Sequence, residues 1–225
     1  MEIIRDFALG KAHEQAIMRV CKKGNYVVTQ DNEETIELNE PLNIFVATPL
    51  NEPLISPKNK FGEKAMRNYA DQLLFGSNND FAYTYHDRLF NYPDNNNQIE
   101  TIIDELLDNP TSRRAQAITW IPSIDLRNDN PPCLQRIQIL LRNGKLNMHV
   151  DFRSRDILSA MGANMYALIA LQTKISKRLD AAIGWYSDTS TNAHIYFKRD
   201  IEELTKYYNP FSTGQELCME FRKHV

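Results

Sequence analysis

The Asn143-Gly144 pair constrains this chain more than any other dipeptide in it. It lies between two strand-like runs, Leu134–Arg142 and Lys145–Arg153. Asn and Gly both accept the positive φ values of a two-residue type I′ turn, whose twist matches that of the strands it joins. An antiparallel hairpin is therefore expected here, so an all-helical fold is excluded. Around the hairpin, apolar periodicity predicts helices over Leu9–Lys23, Gly62–Phe75, Gln98–Leu107, Ile157–Arg178 and Arg199–Tyr207. Gly24 and the run Gly76-Ser77-Asn78-Asn79 act as stops for the first two. Short β-rich runs predict strands at Tyr26–Thr29, Ile44–Ala47, Ala115–Trp120 and Ala193–Phe197, with a surface loop before Pro57 and another at Tyr92–Asn97. No repeat, low-complexity linker or domain boundary interrupts the pattern, so residues 1–225 are expected to form one domain.

Composition narrows the function classes. At 42% hydrophobic and 24% charged residues the chain can bury a substantial core. A net charge of -3 argues against a general nucleic-acid or membrane-surface binder, so any anion specificity must come from a local cluster of arginines. No apolar run is long enough to span a bilayer, and Met1–Asp6 is mixed in charge, unlike a signal peptide. Cys21, Cys133 and Cys218 are widely spaced and form neither a CxxC pair nor a disulfide framework. The expectation is a reduced, cytoplasmic protein with no metal.

Cys133 stands apart from the other two cysteines. Pro131-Pro132 precedes it and leaves the chain few conformations at the entry to the first hairpin strand. Arginines nearby in sequence would lower its pKa and raise the reactive thiolate fraction. Arg113-Arg114 and Arg153 with Arg155 form two sets, and guanidinium forks suit phosphate oxygens. Surface ion pairs are the plain alternative for them. Asp156 could cap the long helix. Asn164 sits in an apolar run, where an unpaired carboxamide costs roughly 1–3 kcal/mol. With a donor and an acceptor side by side, it can pair with one edge of a pyrimidine. His194 and Tyr196 alternate along a strand and share a face; they suit either the core or a sugar hydroxyl.

The ordered series Ser112-Arg113-Arg114, Pro132-Cys133, Arg153-Ser154-x-Asp156, Asn164 and His194-x-Tyr196 resembles the thymidylate synthase family, over about Tyr83 to Phe197. The resemblance implies an α+β fold, with helices packed on a large mixed β-sheet, and reductive methylation of dUMP to dTMP through a covalent adduct between Cys133 and C6. It implies that Arg153 and Ser154 bind the nucleotide phosphate, joined by Arg113 and Arg114 from a neighbouring subunit of a homodimer. Asp156 would hold the pyrimidine and cofactor region, Asn164 the uracil edge, and His194 and Tyr196 the 3′-hydroxyl. Tyr83 matches the active-site tyrosine of the family. The second substrate would be a methylene-tetrahydropterin, either 5,10-methylenetetrahydrofolate or a tetrahydromethanopterin-type analogue.

Several positions depart from the common bacterial and eukaryotic pattern. Leu134 stands where histidine usually follows the cysteine, and Ala160-Met161-Gly162-Ala163 replaces Gly-Leu-Pro-Phe. Few residues follow Tyr196, and Glu63 is the one candidate for the folate-side glutamate. The departures cluster on the cofactor side, as in the compact archaeal-type branch of the family. Three alternatives remain: a pyrimidine-nucleotide hydroxymethylase on the same fold, a non-catalytic nucleotide-binding regulatory protein, and a hydrolase pairing Cys133 with His149 or His194.

Overall fold

Asn143 and Gly144 take φ values of 53° and 70°, the left-handed pair that a two-residue hairpin turn needs. The computed structural model describes residues 1–77 and 83–224. Asn78 and Asn79 of the expected stop, and Phe81-Ala82 beside Tyr83, lie outside the described residues. Strand β1 (Glu2–Ala8) runs directly into helix α1 (Leu9–Lys23), followed by β2 (Asn25–Val28), β3 (Glu34–Glu37) and β4 (Leu42–Asn51). Helices α2 (Gly62–Phe75), α3 (Tyr85–Phe90) and α4 (Gln98–Asp108) come next, then β5 (Gln116–Ile118) and the short α5 (Pro122–Asp125). The hairpin is β6 (Leu134–Arg142) and β7 (Lys145–Asp156). The long helix α6 (Met161–Arg178), strand β8 (Ala182–Ile195), α7 (Ile201–Leu204) and α8 (Gly214–Phe221) follow.

The eight strands form one mixed sheet. Its main order is β1-β4-β8-β7-β6-β5, and β3 pairs with the end of β8 and carries β2 beyond it. β1 with β4 and β7 with β8 are parallel, and the remaining pairs are antiparallel. Helices α1, α2, α4 and α6 bury apolar faces in a core shared with this sheet, the expected α+β arrangement. On α1 the buried positions Leu9, Ala12, His13, Ala16, Ile17 and Val20 keep the helical period. The amide of Gly24 closes that helix on the carbonyl of Val20.

Several elements differ from expectation. The long helix starts at Met161, not Ile157, because the Asp156 carboxylate accepts from the amides of Leu158 and Ser159 and holds a turn there. Asp156 therefore caps this turn, not the helix itself. Strand β8 begins at Ala182 instead of Ala193. The helix expected over Arg199–Tyr207 shrinks to Ile201–Leu204. Strand Glu2–Ala8 and helices Tyr85–Phe90, Pro122–Asp125 and Gly214–Phe221 lie outside the expected elements.

Candidate active site

Strand pairing assembles the site. The amide of Arg153 donates to the carbonyl of Cys133 at 2.9 Å, which places the end of β7 beside the entry to β6. On the other side of β7, Ser154, Arg155 and Asp156 pair in register with Asn192, Ala193 and His194 of β8. Two motifs about forty residues apart in sequence thus become neighbours across one parallel ladder, at one rise per residue of about 3.3 Å. Helix α2 and the segment leading into α3 form the facing wall, and together they enclose a cavity of about 520 Å³. Cys133, Arg153, Ser154, Asp156, Asn164, His194, Tyr196 and Tyr83 all line it. Arg113 and Arg114 do not. They are exposed beyond the end of α4, and Arg113 meets this chain through its carbonyl, which accepts from Gln138.

Cys133 is half-buried. Burial pushes its thiol up, against Arg153 and Arg155, which pull it down. The expectation of a lowered pKa is therefore corrected for this state: desolvation outweighs the two arginines. Arg153 donates from Nε and Nη2 to the carbonyls of Pro132 and Pro131 at 3.0 and 2.7 Å, and Nη2 lies 3.8 Å from Sγ. The Pro-Pro turn thus offers two carbonyls as a dock that parks this guanidinium against the thiol. Leu134, buried in the core, supplies no polar group to the sulfur; its amide donates to the hydroxyl of Tyr85 at 3.1 Å.

The other polar groups are held from behind. His194 Nδ1 lies 2.8 Å from Asn192 Oδ1, and Asn192 donates from Nδ2 to Glu37 at 2.5 Å. With its Nδ2 so committed, Asn192 presents an acceptor to the ring, so His194 carries its proton on Nδ1 and leaves Nε2 as an acceptor. Burial lowers the His194 pKa and keeps it neutral. Its ring meets Tyr196 edge-on at 5.0 Å, and Arg199 lies over the Tyr196 ring at 4.3 Å. Arg199 also binds the second oxygen of Asp156 at 2.7 Å. Asn164, 8% exposed, donates to the Tyr69 hydroxyl at 2.8 Å. Tyr83 packs against Tyr85 at 5.9 Å and under the Arg88 guanidinium at 5.5 Å, and burial raises its pKa, so it remains a phenol.

Sequence reasoning missed Tyr69, Tyr85, Asn192 and Arg199. Asn192 had a usable signal, two positions before His194 on the same strand face; the others act across long stretches of chain with no local signature. Glu63 is exposed, paired with Arg67, and is not part of the cavity wall. His149 bonds Ser187 and Asp151 outside the cavity. Gln30 and Asp31, from the β2–β3 turn, stand at the cavity wall, whereas α8 packs its Phe221 against Phe197. Among the described residues no group of three or more His, Cys, Asp and Glu could hold a metal, and no helix is long and apolar enough to cross a membrane.

Residues 59–210 match the family described as thymidylate synthase. A chain from Methanocaldococcus jannaschii named "Putative thymidylate synthase" is 38% identical over 216 residues, covering 92% of this chain and 96% of its own. Chains of the same name from Methanosarcina barkeri and Methanosarcina acetivorans are 33% and 34% identical, covering 80% and 76% of this chain and 82% and 78% of theirs.

Proposed function

The chain belongs to the thymidylate synthase family, and on that footing we propose that it methylates dUMP reductively to dTMP, with Cys133 as nucleophile. The observation that carries the reading is the convergence of Cys133, Arg153, Ser154, Asn164 and His194 on one cavity large enough for a nucleotide and a second ring.

The residues divide the work. Arg153 and Ser154 take the phosphate; binding draws the Arg153 fork away from the Pro131 and Pro132 carbonyls, which it exchanges for better acceptors. In a homodimer, Arg113 and Arg114 of a second copy complete that phosphate site, a role in keeping with their exposure outside their own cavity. Asn164 pairs with the uracil edge, and Asp156 holds the ring through its backbone and its Arg199-bound carboxylate. His194 accepts from the 3′-hydroxyl at Nε2, with Tyr196 beside it. Ring and thiol are thereby oriented before any bond forms, which removes entropy from the barrier. The Cys133 thiolate then adds to C6, its proton having passed to solvent, and C5 becomes an enolate carbon able to attack an electrophile. Donors at the Asn164 edge stabilise the charge that develops at O4. Tyr83, a phenol at the cavity wall, donates near the sulfur.

The residues present also fit a reduced pterin: Tyr69, Tyr83 and Tyr85 give aromatic surface beside Cys133, and Gln72 and Thr84 give polar edge groups. Bound there, a methylene-carrying pterin of tetrahydrofolate or tetrahydromethanopterin type supplies the one-carbon unit and the hydride that completes the methyl group.

The test is dehalogenation of 5-bromo-dUMP with a small thiol and no pterin, in wild type and Cys133→Ala. Activity in wild type that disappears in the variant supports C6 attack by Cys133. A folded wild type that binds dUMP without dehalogenating it would instead make this a nucleotide-binding protein.

A further inference from the structure

Arg155 is the one member of the Arg153–Asp156 run that the reading above leaves without a task. It is 1% exposed, yet it forms part of the wall of the Cys133 cavity. Its guanidinium turns to the core, over Phe152 and against Asp188, whereas Arg153 reaches the Pro131 and Pro132 carbonyls ahead of β6. Asp188 of β8 approaches its Nη1 at 2.9 Å, and Tyr186 donates to the same Asp188 oxygen at 2.9 Å. Nε and Nη1 are sealed from solvent and have no aligned hydrogen-bond acceptor among the described residues, so the contact with Asp188 is an ion pair without hydrogen-bond geometry. Nη2 reaches only the Met161 carbonyl, at 3.5 Å, and the guanidinium carbon sits 3.9 Å over the Phe152 ring.

A buried arginine with two unmet donors is costly unless its charge is used. Asp188 and Tyr186 stand outside the cavity wall, so the ion pair turns its positive end towards the cavity. The two arginines also part ways when a nucleotide binds. Arg153 touches the sulfur but would be neutralised by the phosphate dianion. Arg155, sealed in and tied to Asp188, keeps its charge.

We propose that Arg155 is a positioning residue for Cys133: its buried guanidinium, backed by Asp188, holds a positive potential at the sulfur once phosphate has neutralised Arg153. The inference rests on Cys133 being the nucleophile of a nucleotide enzyme. Both arginines oppose the burial that raises the thiol, in agreement with it.

The test is the pH profile of Cys133 alkylation by iodoacetamide, followed by peptide mass spectrometry, in an Arg153→Ala background that stands for the neutralised state. Replacing the pair by Arg155→Met with Asp188→Leu avoids an orphaned charge and should slow alkylation at pH 7 about tenfold, a rise of about one pH unit in the midpoint. Arg155→Lys should leave the profile near the background. Asp188→Asn should accelerate alkylation, because it strips the counter-charge; a merely structural pair predicts no acceleration. A folded paired variant with an unchanged profile would overturn the proposal. If circular dichroism finds the paired variant unfolded, Asp188→Asn decides, and slower or equal alkylation there overturns it. The profile needs neither nucleotide nor pterin. Failed 5-bromo-dUMP dehalogenation with a shifted profile would sink the substrate reading alone, and the reverse would sink the Arg155 inference alone.

Discussion

Asn164 donates from Nδ2 to the hydroxyl of Tyr69 at 2.8 Å, a contact between the first turn of α6 and the middle of α2. One N–H is thereby spent, which leaves the second N–H and Oδ1 of this cavity-lining residue as a donor–acceptor pair. Uracil offers the complement, an acceptor at O4 and a donor at N3; cytosine offers the reverse. Asn164→Asp is expected to lower dUMP affinity about tenfold or more, the cost of a missing buried hydrogen bond, and to raise dCMP affinity. Tyr69→Phe should weaken the same discrimination by a smaller factor. Calorimetric binding of both nucleotides checks this, and an unchanged dUMP-to-dCMP ratio in Asn164→Asp would remove Asn164 from the pyrimidine edge.

Tyr83 packs against a buried ion pair. Arg88 grips Asp125 through Nη1 and Nη2 at 2.9 and 2.8 Å, and the same carboxylate accepts from the amide of Ile121 at 2.6 Å. Both side chains are almost fully enclosed. Removing one partner strands a charge in low dielectric, so Asp125→Ala should cost about 3–5 kcal/mol in urea denaturation. A loss below about 1 kcal/mol, the ordinary worth of an exposed pair, would mean that water reaches this site.

The hairpin, α1, α2 and α4 were legible because turn chemistry and apolar period agree with the tertiary structure along their whole length. β8 was not. Its inward positions include Tyr186, Asp188 and Ser190, all buried, so the core face of this central strand carries polar groups where hydrophobic patterning looks for apolar ones. That same substitution of polar for apolar creates the Asp188 counter-ion of Arg155. β1 lies at a sheet edge with Ile3 and Phe7 exposed, which blurs its alternation. In the site, Cys133, Arg153, Ser154, Asp156, Asn164, His194 and Tyr196 were named from chemistry and order and line the cavity, whereas Tyr69 and Tyr85 line it too and were not named. The residues that orient them, such as Tyr69 for Asn164 and Arg199 for Asp156, act across the fold and leave no spacing to read. The thiol's raised pKa was illegible for a related reason, since sequence proximity to arginine says nothing about burial.

His13 links stability to pH. It is buried on α1, donates from Nε2 to the Ile157 carbonyl at 2.7 Å, and packs so closely on Gly162 that a Cβ there would meet its ring at 3.0 Å. Burial pulls its pKa from 6.5 to about 4. The unfolded chain therefore binds this proton first. The stabilisation is complete above about pH 6.5 and is lost as pH falls towards about 4, a change of roughly 2–3 kcal/mol. His13→Leu should flatten that part of the stability profile relative to wild type, whatever its effect at pH 7. Parallel profiles for the two proteins between pH 7 and 4.5 would show that His13 is not the proton acceptor.

Arg113 and Arg114 supply the prediction that separates one subunit from two. Exposed and outside their own cavity, they can serve a phosphate site only in another copy. Cys133→Ala and an Arg113→Ala/Arg114→Ala variant should each lose 5-bromo-dUMP dehalogenation, the second through weakened dUMP binding. Mixed, unfolded and refolded together, they should form heterodimers in which one site has an intact cysteine and intact arginines from its neighbour. Statistical pairing in a two-fold dimer then restores about a quarter of the wild-type activity. No recovery in a mixture that sediments as a dimer would mean that these arginines serve no neighbouring site, leaving Arg153 and Ser154 to hold the phosphate unaided.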